Sequence, residues 1–251
     1  MPTNRIALIT GANQGMGKQV AKELVFDGVT VFVGSRDLAR GEKAAAEIGE
    51  GAVALQLDVT DTTSIASAAE RIRDETGRLD LLINNAAIST TRTDVRDLSE
   101  LRAMAKTSTV PLDEVRAVWE VNVFGPLAVF QAMLPLLRES PDARVVNVTS
   151  ALGSLTTMAG PDFPYRSTFE PVYAASKTAL NAVTLAMMIE LEDTDVKVNL
   201  VSPGFANTAL VNFEGIESVE EAAREIVRVA RLGADGPTGT FTLWEGVDLP
   251  W

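Results

Sequence analysis

The chain has 251 residues, 46% of them hydrophobic, and 22 basic against 34 acidic side chains give a net charge of −12. That length suits one large or two small domains, and so acidic a field disfavours nucleic acid and anionic membrane as partners. There is no cysteine and no histidine, which excludes disulfides, thiolate nucleophiles, Cys- or His-ligated metal and a Ser-His-Asp triad.

Residues Met1 to Arg5 lead straight into a strand-like run with no secretory leader, and no apolar stretch reads as long enough to span a membrane, so a cytoplasmic protein is expected. Ile6 to Thr10 predicts a strand. It is followed by Gly11-Ala12-Asn13-Gln14-Gly15-Met16-Gly17 and a helical pattern from Val20 to Phe26. Strand, glycine turn and helix is the layout that lets a backbone approach a pyrophosphate and points a helix N-terminus at it. The spacing is not G-x-G-x-x-G, and a purely structural turn would use the same residues. Further strand-like runs are Val29 to Gly34, Ala52 to Leu57, Leu79 to Asn84, Arg144 to Thr149, Val196 to Val201 and Gly239 to Leu243, with helical patterns between most of them. Runs such as Val145-Val146-Asn147-Val148 fit strands covered on both faces.

The expectation is a single-domain α/β protein, Rossmann-like, with a doubly wound parallel sheet of seven strands and helices on both faces. Roughly residues 1–150 form its cofactor half and 150–251 its catalytic and substrate half. Ligands of such sheets lie outside the carboxyl ends of the strands, where residues 11–17, Asn84 to Ala87, Ser150 and Pro203-Gly204 fall. Tyr173-Ala174-Ala175-Ser176-Lys177 opens the helical run Val172 to Leu191. Residues four apart share a helix face, so the phenol and the ammonium reach one point. A phenol titrates at about 10 in water, and a fixed cation lowers that value towards neutrality. Of the two tyrosines, Tyr165 and Tyr173, the second alone has a lysine four residues on. Ser150, ending the strand from Arg144, would hold a substrate oxygen or simply cap local backbone.

In these residues the chain resembles the short-chain dehydrogenase/reductase family. The matching motifs are Thr10-Gly11-Ala12-Asn13-Gln14-Gly15-Met16-Gly17, Leu57-Asp58-Val59, Asn84-Asn85-Ala86-Ala87, Asn122, Ser150, Tyr173 with Lys177, and Pro203-Gly204. The resemblance implies a nicotinamide-dependent oxidoreductase. Tyr173 would be its acid/base, Lys177 would bind the nicotinamide ribose and lower the phenol pKa, and Ser150 would hold the substrate oxygen. Asn122 would support a water-linked proton relay. It implies cofactor contacts from the glycine turn, Asp58, Val59, Asn85, Ala86, Ala87, Pro203, Gly204, Phe205 and Thr208, and no metal. Ala87 replaces the family's glycine and adds one methyl beside the cofactor. The long Leu155 to Pro171 segment, with its loop composition Gly160 to Tyr165, is similar to the carbonyl reductase-like branch and implies a monomer or homodimer.

An acid about twenty residues past the turn selects NAD, whereas Arg accepts the phosphate of NADP. Asp37 is eligible by count. By resemblance the acid's place is taken by Ser35, and Arg36 with Arg40 points to NADP(H). The expected activity is reduction of a small apolar ketone or aldehyde, with the alternatives of alcohol oxidation, an NADP-sensing protein without turnover, or an epimerase or dehydratase. Leu152, Phe163, Phe205 and Phe213 are expected to line the substrate pocket, with residues 205–213 as a lid or as a packed helix.

Overall fold

The computed structural model describes residues 5–92, 95 and 97–251; the expected leaderless segment Met1 to Asn4 lies outside them. Strands β1 (Ile6–Ile9), β2 (Thr30–Ser35), β3 (Ala52–Gln56), β4 (Leu81–Asn84), β5 (Arg144–Val148), β6 (Lys197–Val201), β7 (Phe241–Leu243) and β8 (Val247–Asp248) form one sheet in the order 3-2-1-4-5-6-7-8. All pairings are parallel except β7 with β8. The seven expected strands are present within a residue or two of their predicted limits. The eighth was not expected: its two residues are both exposed, so neither apolar alternation nor length marked it.

The alternation of side chains along each strand divides the core in two. Ile6 and Leu8 point into one cluster with Ile65 and Ile72 of α3 (Thr62–Thr76), Phe130 and Met133 of α6 (Gly125–Leu137) and Met187 of the helix 174–190. Ala7 and Ile9 point into the other, with Val20 and Leu24 of α1 (Gly15–Phe26), Ala44 of α2 (Leu38–Ile48) and Ile226 of α9 (Val219–Ala230). Local chemistry sets the limits of these helices. Asp61 caps α3 by accepting from Thr63 and Ser64 N–H, and Gly77, left-handed at φ 72°, ends it. Ser218 and Glu221 form a reciprocal capping box on α9.

Between β4 and β5 lie α4 (Leu98–Met104), α5 (Leu112–Trp119), a π-turn at Glu120–Phe124 and α6. Residues Leu112–Leu137 run on as 26 helical residues, long and apolar enough to cross a membrane by length and composition, which corrects the expectation that no stretch would be. The apolarity has another cause, because half of the most apolar window is buried inside the protein and Val129, Phe130, Met133 and Leu137 fill the core. Beyond β5 come α7 (Leu155–Ala159) and α8 (Ala174–Glu190). Strand order reverses between β1 and β4, and it is there that a crevice opens at the carboxyl ends.

Candidate active site

The turn after β1 is shaped by what it touches. Gly11 has φ +64°, and a Cβ there would stand 3.0 Å from Ala86 Cα. At Gly15 the conformation rather than the space demands glycine: φ is +56° and the nearest atom to a Cβ is Thr208 Cγ2 at 3.7 Å. A Cβ on Gly17 would lie 2.4 Å from Asn85 Nδ2. Asn85 in turn donates to Thr10 O at 2.9 Å, while its own N–H and that of Ala86 both donate to Thr10 Oγ1 at 3.0 Å. The turn and the loop after β4 are thus one latched unit, with Ala87 continuing it partly buried. Helix α1 begins with no side-chain cap from Gln14 and no acid in its first turn. Its free N–H groups and positive dipole end suit a diphosphate, and Asn13 and Met16 flank it.

At the end of β2, Ser35 is buried and donates to Asp37 O at 2.7 Å. Asp37 is engaged locally: it caps α2 through Arg40 N–H at 3.1 Å and pairs with Arg40 Nε at 3.6 Å. Arg36 is exposed and has no ion-pair partner among the described residues. A cation is therefore free at this edge, whereas the nearest acid is committed. Asp58 accepts from Thr60 N–H at 2.9 Å, and Val59 packs where Gly125 admits it, since a Cβ on Gly125 would be 2.9 Å from Val59 Cγ2.

Ser150 leaves β5 and accepts from Leu152 N–H at 3.2 Å, the local cap that was one of its two expected readings; it also hydrogen-bonds the Tyr173 hydroxyl. Tyr173 is the residue at the head of α8, and Lys177 N–H donates to its carbonyl at 3.0 Å. Lys177 Nζ lies 5.6 Å from the Tyr173 ring centroid and donates to Val148 O at 3.0 Å. The shared helix face is as expected, but the electrostatics differ. Burial pushes the Tyr173 phenol up to about 12, with Ser150 opposing and the Glu170 charge adding to the rise. Burial also lowers Lys177 to about 8. Lys177 therefore does not draw the phenol down by itself, because desolvation acts on both groups and the ammonium is turned onto a carbonyl.

Asn122, fully buried in the π-turn, donates to Ile88 O at 2.8 Å and Ser176 Oγ at 3.0 Å and accepts from Ile88 N–H at 2.9 Å. Both of its amide hydrogens are thereby used, fastening the loop after β4 to the head of α8.

Above these residues is a cavity of about 510 Å³. Ser150 and Tyr173 line it together with Met16, Pro203, Gly204 and Thr208, and with apolar walls from Leu101, Met104, Val110, Leu152, Phe205 and Ile216. Leu152 and Phe205 are where they were expected. Phe163 and Phe213 are not in the lining: Phe163 packs edge-on against Tyr165 at 5.7 Å, and Phe213 is 68% exposed. The segment 205–213 is neither a packed helix nor fully extended; it holds one 3₁₀ turn at Ala209–Val211, and Leu210 O accepts from Ser89 Oγ at 2.7 Å. The wall from Leu101, Met104, Ala105 and Val110 was missed, although the spacing of the first three marks one helix face. Glu114 ties this wall down, accepting from Thr90 Oγ1 at 2.6 Å and Thr91 N–H at 2.8 Å. Burial pushes its carboxyl up, but those bonds and the Arg92 charge outweigh it and hold the group below the usual carboxylate range.

The short chain dehydrogenase model matches residues 5–217. The short-chain dehydrogenase anuI of Penicillium roqueforti is 34% identical over 241 residues, 92% of this chain and 90% of that one. The (+)-neomenthol dehydrogenase of Arabidopsis thaliana is 31% identical over 288 aligned positions, covering 95% and 96%. Among solved structures, the NADPH-bound carbonyl reductase from chicken fatty liver is 25% identical with a TM-score of 0.82, covering 98% of this chain and 94% of that one. With the glycine turn, the latched loop and the sheet order in place, the chain belongs to the short-chain dehydrogenase/reductase family.

Proposed function

We propose that the protein is an NADPH-dependent reductase of a small apolar ketone or aldehyde. The observation that carries the reading is the bonded Ser150–Tyr173 pair, with Lys177 against the ring, on the floor of an apolar cavity beside the glycine crevice. A bound nicotinamide supplies the hydride in reduction and accepts it in the reverse reaction. Ser150 and Tyr173 donate to the substrate oxygen, and those bonds strengthen as charge develops on it. Tyr173 then delivers its proton to that oxygen. Lys177, whose ammonium lies against the tyrosine ring, would bind the nicotinamide ribose. Asn122 contributes through the backbone it fixes at the π-turn, where a relay water would be held.

The free N–H groups of α1 fit the diphosphate, Asp58 and Val59 the adenine side, and Arg36 with Arg40 the additional phosphate of NADP. The NADPH in the chicken carbonyl reductase supports that choice. Residues 1–150 would hold the nucleotide and 150–251 the substrate. The protein would be cytoplasmic and a monomer or homodimer, with segment 155–171 standing beside the head of α8. A panel of neutral carbonyl compounds assayed with NADPH and NADH tests the reading. Oxidation of NADPH by apolar ketones or aldehydes is expected; no turnover across the panel, or equal use of NADH, would oppose it.

A further inference from the structure

Helix α8 carries the tyrosine at its head, yet neither Tyr173 nor any acid in the first turn caps it. Four successive N–H groups, from Val172 to Ala175, are satisfied by one residue upstream. The Glu170 carboxylate accepts from Val172 N–H, from Tyr173 N–H at 2.8 Å and from Ala174 N–H at 3.0 Å, and Glu170 O accepts from Ala175 N–H at 3.0 Å. The same segment is anchored by Trp119 Nε1, which donates to Pro171 O at 3.0 Å. Glu170 also lines the cavity onto which Tyr173 opens. Charged bonds to three successive amides are stronger than neutral ones and complement the positive end of the helix.

Resting on the reading of Tyr173 as proton donor, we propose that Glu170 is its positioning residue: the carboxylate fixes the backbone from which the phenol projects and sets a negative charge on the wall of the cavity that the phenol also lines. The other charged or titratable groups around the phenol are Lys177 on its own helix and Glu114, Arg92 and Tyr165 on the remaining walls. Of the carboxylates, Glu170 is the one that raises the phenol pKa. A carboxylate serving only as a helix cap would stabilise the fold and leave the pH dependence of turnover unchanged. One that also shares the cavity with the phenol leaves less phenolate for alcohol oxidation at a given pH and makes the phenol a weaker acid in reduction.

The test is the pH profile of alcohol oxidation in Glu170→Gln and Glu170→Ala, with Tyr173→Phe as reference. Glutamine keeps an acceptor for the amides and removes the charge. Its acid limb should move to lower pH by on the order of one pH unit, with a plateau within about threefold of the parent. Alanine removes both functions and should show the same shift with a plateau lower by about tenfold or more. Because the chain has two tyrosines, a Tyr165→Phe background lets ultraviolet absorbance after a rapid alkaline jump follow Tyr173 alone, and its midpoint should fall in the Gln variant. Superimposable profiles and midpoints for parent and Gln would overturn the proposal, as would equal plateaus for Gln and Ala. Activity in Tyr173→Phe would instead overturn the reading on which it rests.

Discussion

Replacing Lys177 by methionine should abolish turnover and yet stabilise the fold near neutral pH. Lys177 is 2% exposed, and burial lowers its pKa from 10.5 to about 8. A group with a depressed folded-state pKa contributes its stability above the unfolded value and loses it as pH falls through the folded one. Here that loss runs from about 10.5 down to about 8. At pH 7 the ammonium is charged in both states, and the gap of about 2.5 pH units corresponds to roughly 3 kcal/mol against folding. Methionine nearly matches the chain length without the charge. It forfeits the bond to Val148 O, worth about 1 kcal/mol, so a net gain of about 2 kcal/mol is expected at pH 7. Near pH 10 the folded lysine is neutral and the advantage should vanish. Urea unfolding of both proteins at pH 7 and pH 10, with unchanged m-values, reads this directly. A methionine variant less stable than the parent at pH 7, or one with the same difference at both pH values, would refute the reasoning.

Arg36→Ala should narrow the preference for NADPH over NADH by about 1–3 kcal/mol, read by fluorescence titration; an unchanged ratio would assign the phosphate elsewhere. Glu114→Ala frees Thr90 and Thr91 and should raise KM about tenfold with a smaller change in kcat, which steady-state kinetics decides. Gly17→Ala should lower the Tm more than Gly15→Ala, because its Cβ meets Asn85 at 2.4 Å whereas Gly15 pays only for its positive φ; calorimetry in the reverse order would contradict the packing given for the turn.

The sheet was legible because its buried strands read as continuous apolar runs and its first turn has glycine where φ is positive. β8 escaped because two exposed residues carry no pattern. Tyr173 and Lys177 were legible from spacing, since a helix leaves little freedom over four residues. Their acidities were not, because burial is a tertiary property: sequence shows a cation beside a phenol, whereas the fold shows both deprived of water and the ammonium occupied by Val148 O. Ser150 illustrates a different limit, in that the sequence shows a serine ending a strand but not that its hydroxyl both caps Leu152 N–H and meets Tyr173 across the fold. Phe163 and Phe213 were assigned to the pocket on apolarity alone, which does not say which way a loop side chain turns. Leu101 and Met104 were passed over because an apolar helix face gives no sign by itself of whether it lines a cavity or packs on the core. Glu170 was invisible for a similar reason, as a glutamate three residues ahead of a tyrosine gives no sign that it closes back on the helix.

The most direct measurement is the turnover of Tyr173→Phe with NADPH and any carbonyl compound that the parent reduces. Removing one hydroxyl takes away both the proton and a hydrogen bond to the developing alkoxide. kcat/KM should therefore fall by at least the roughly 10²–10⁴ of general acid loss, while fluorescence titration shows NADPH still bound. Near-parental activity in that variant would contradict the assignment of Tyr173 and with it the mechanism.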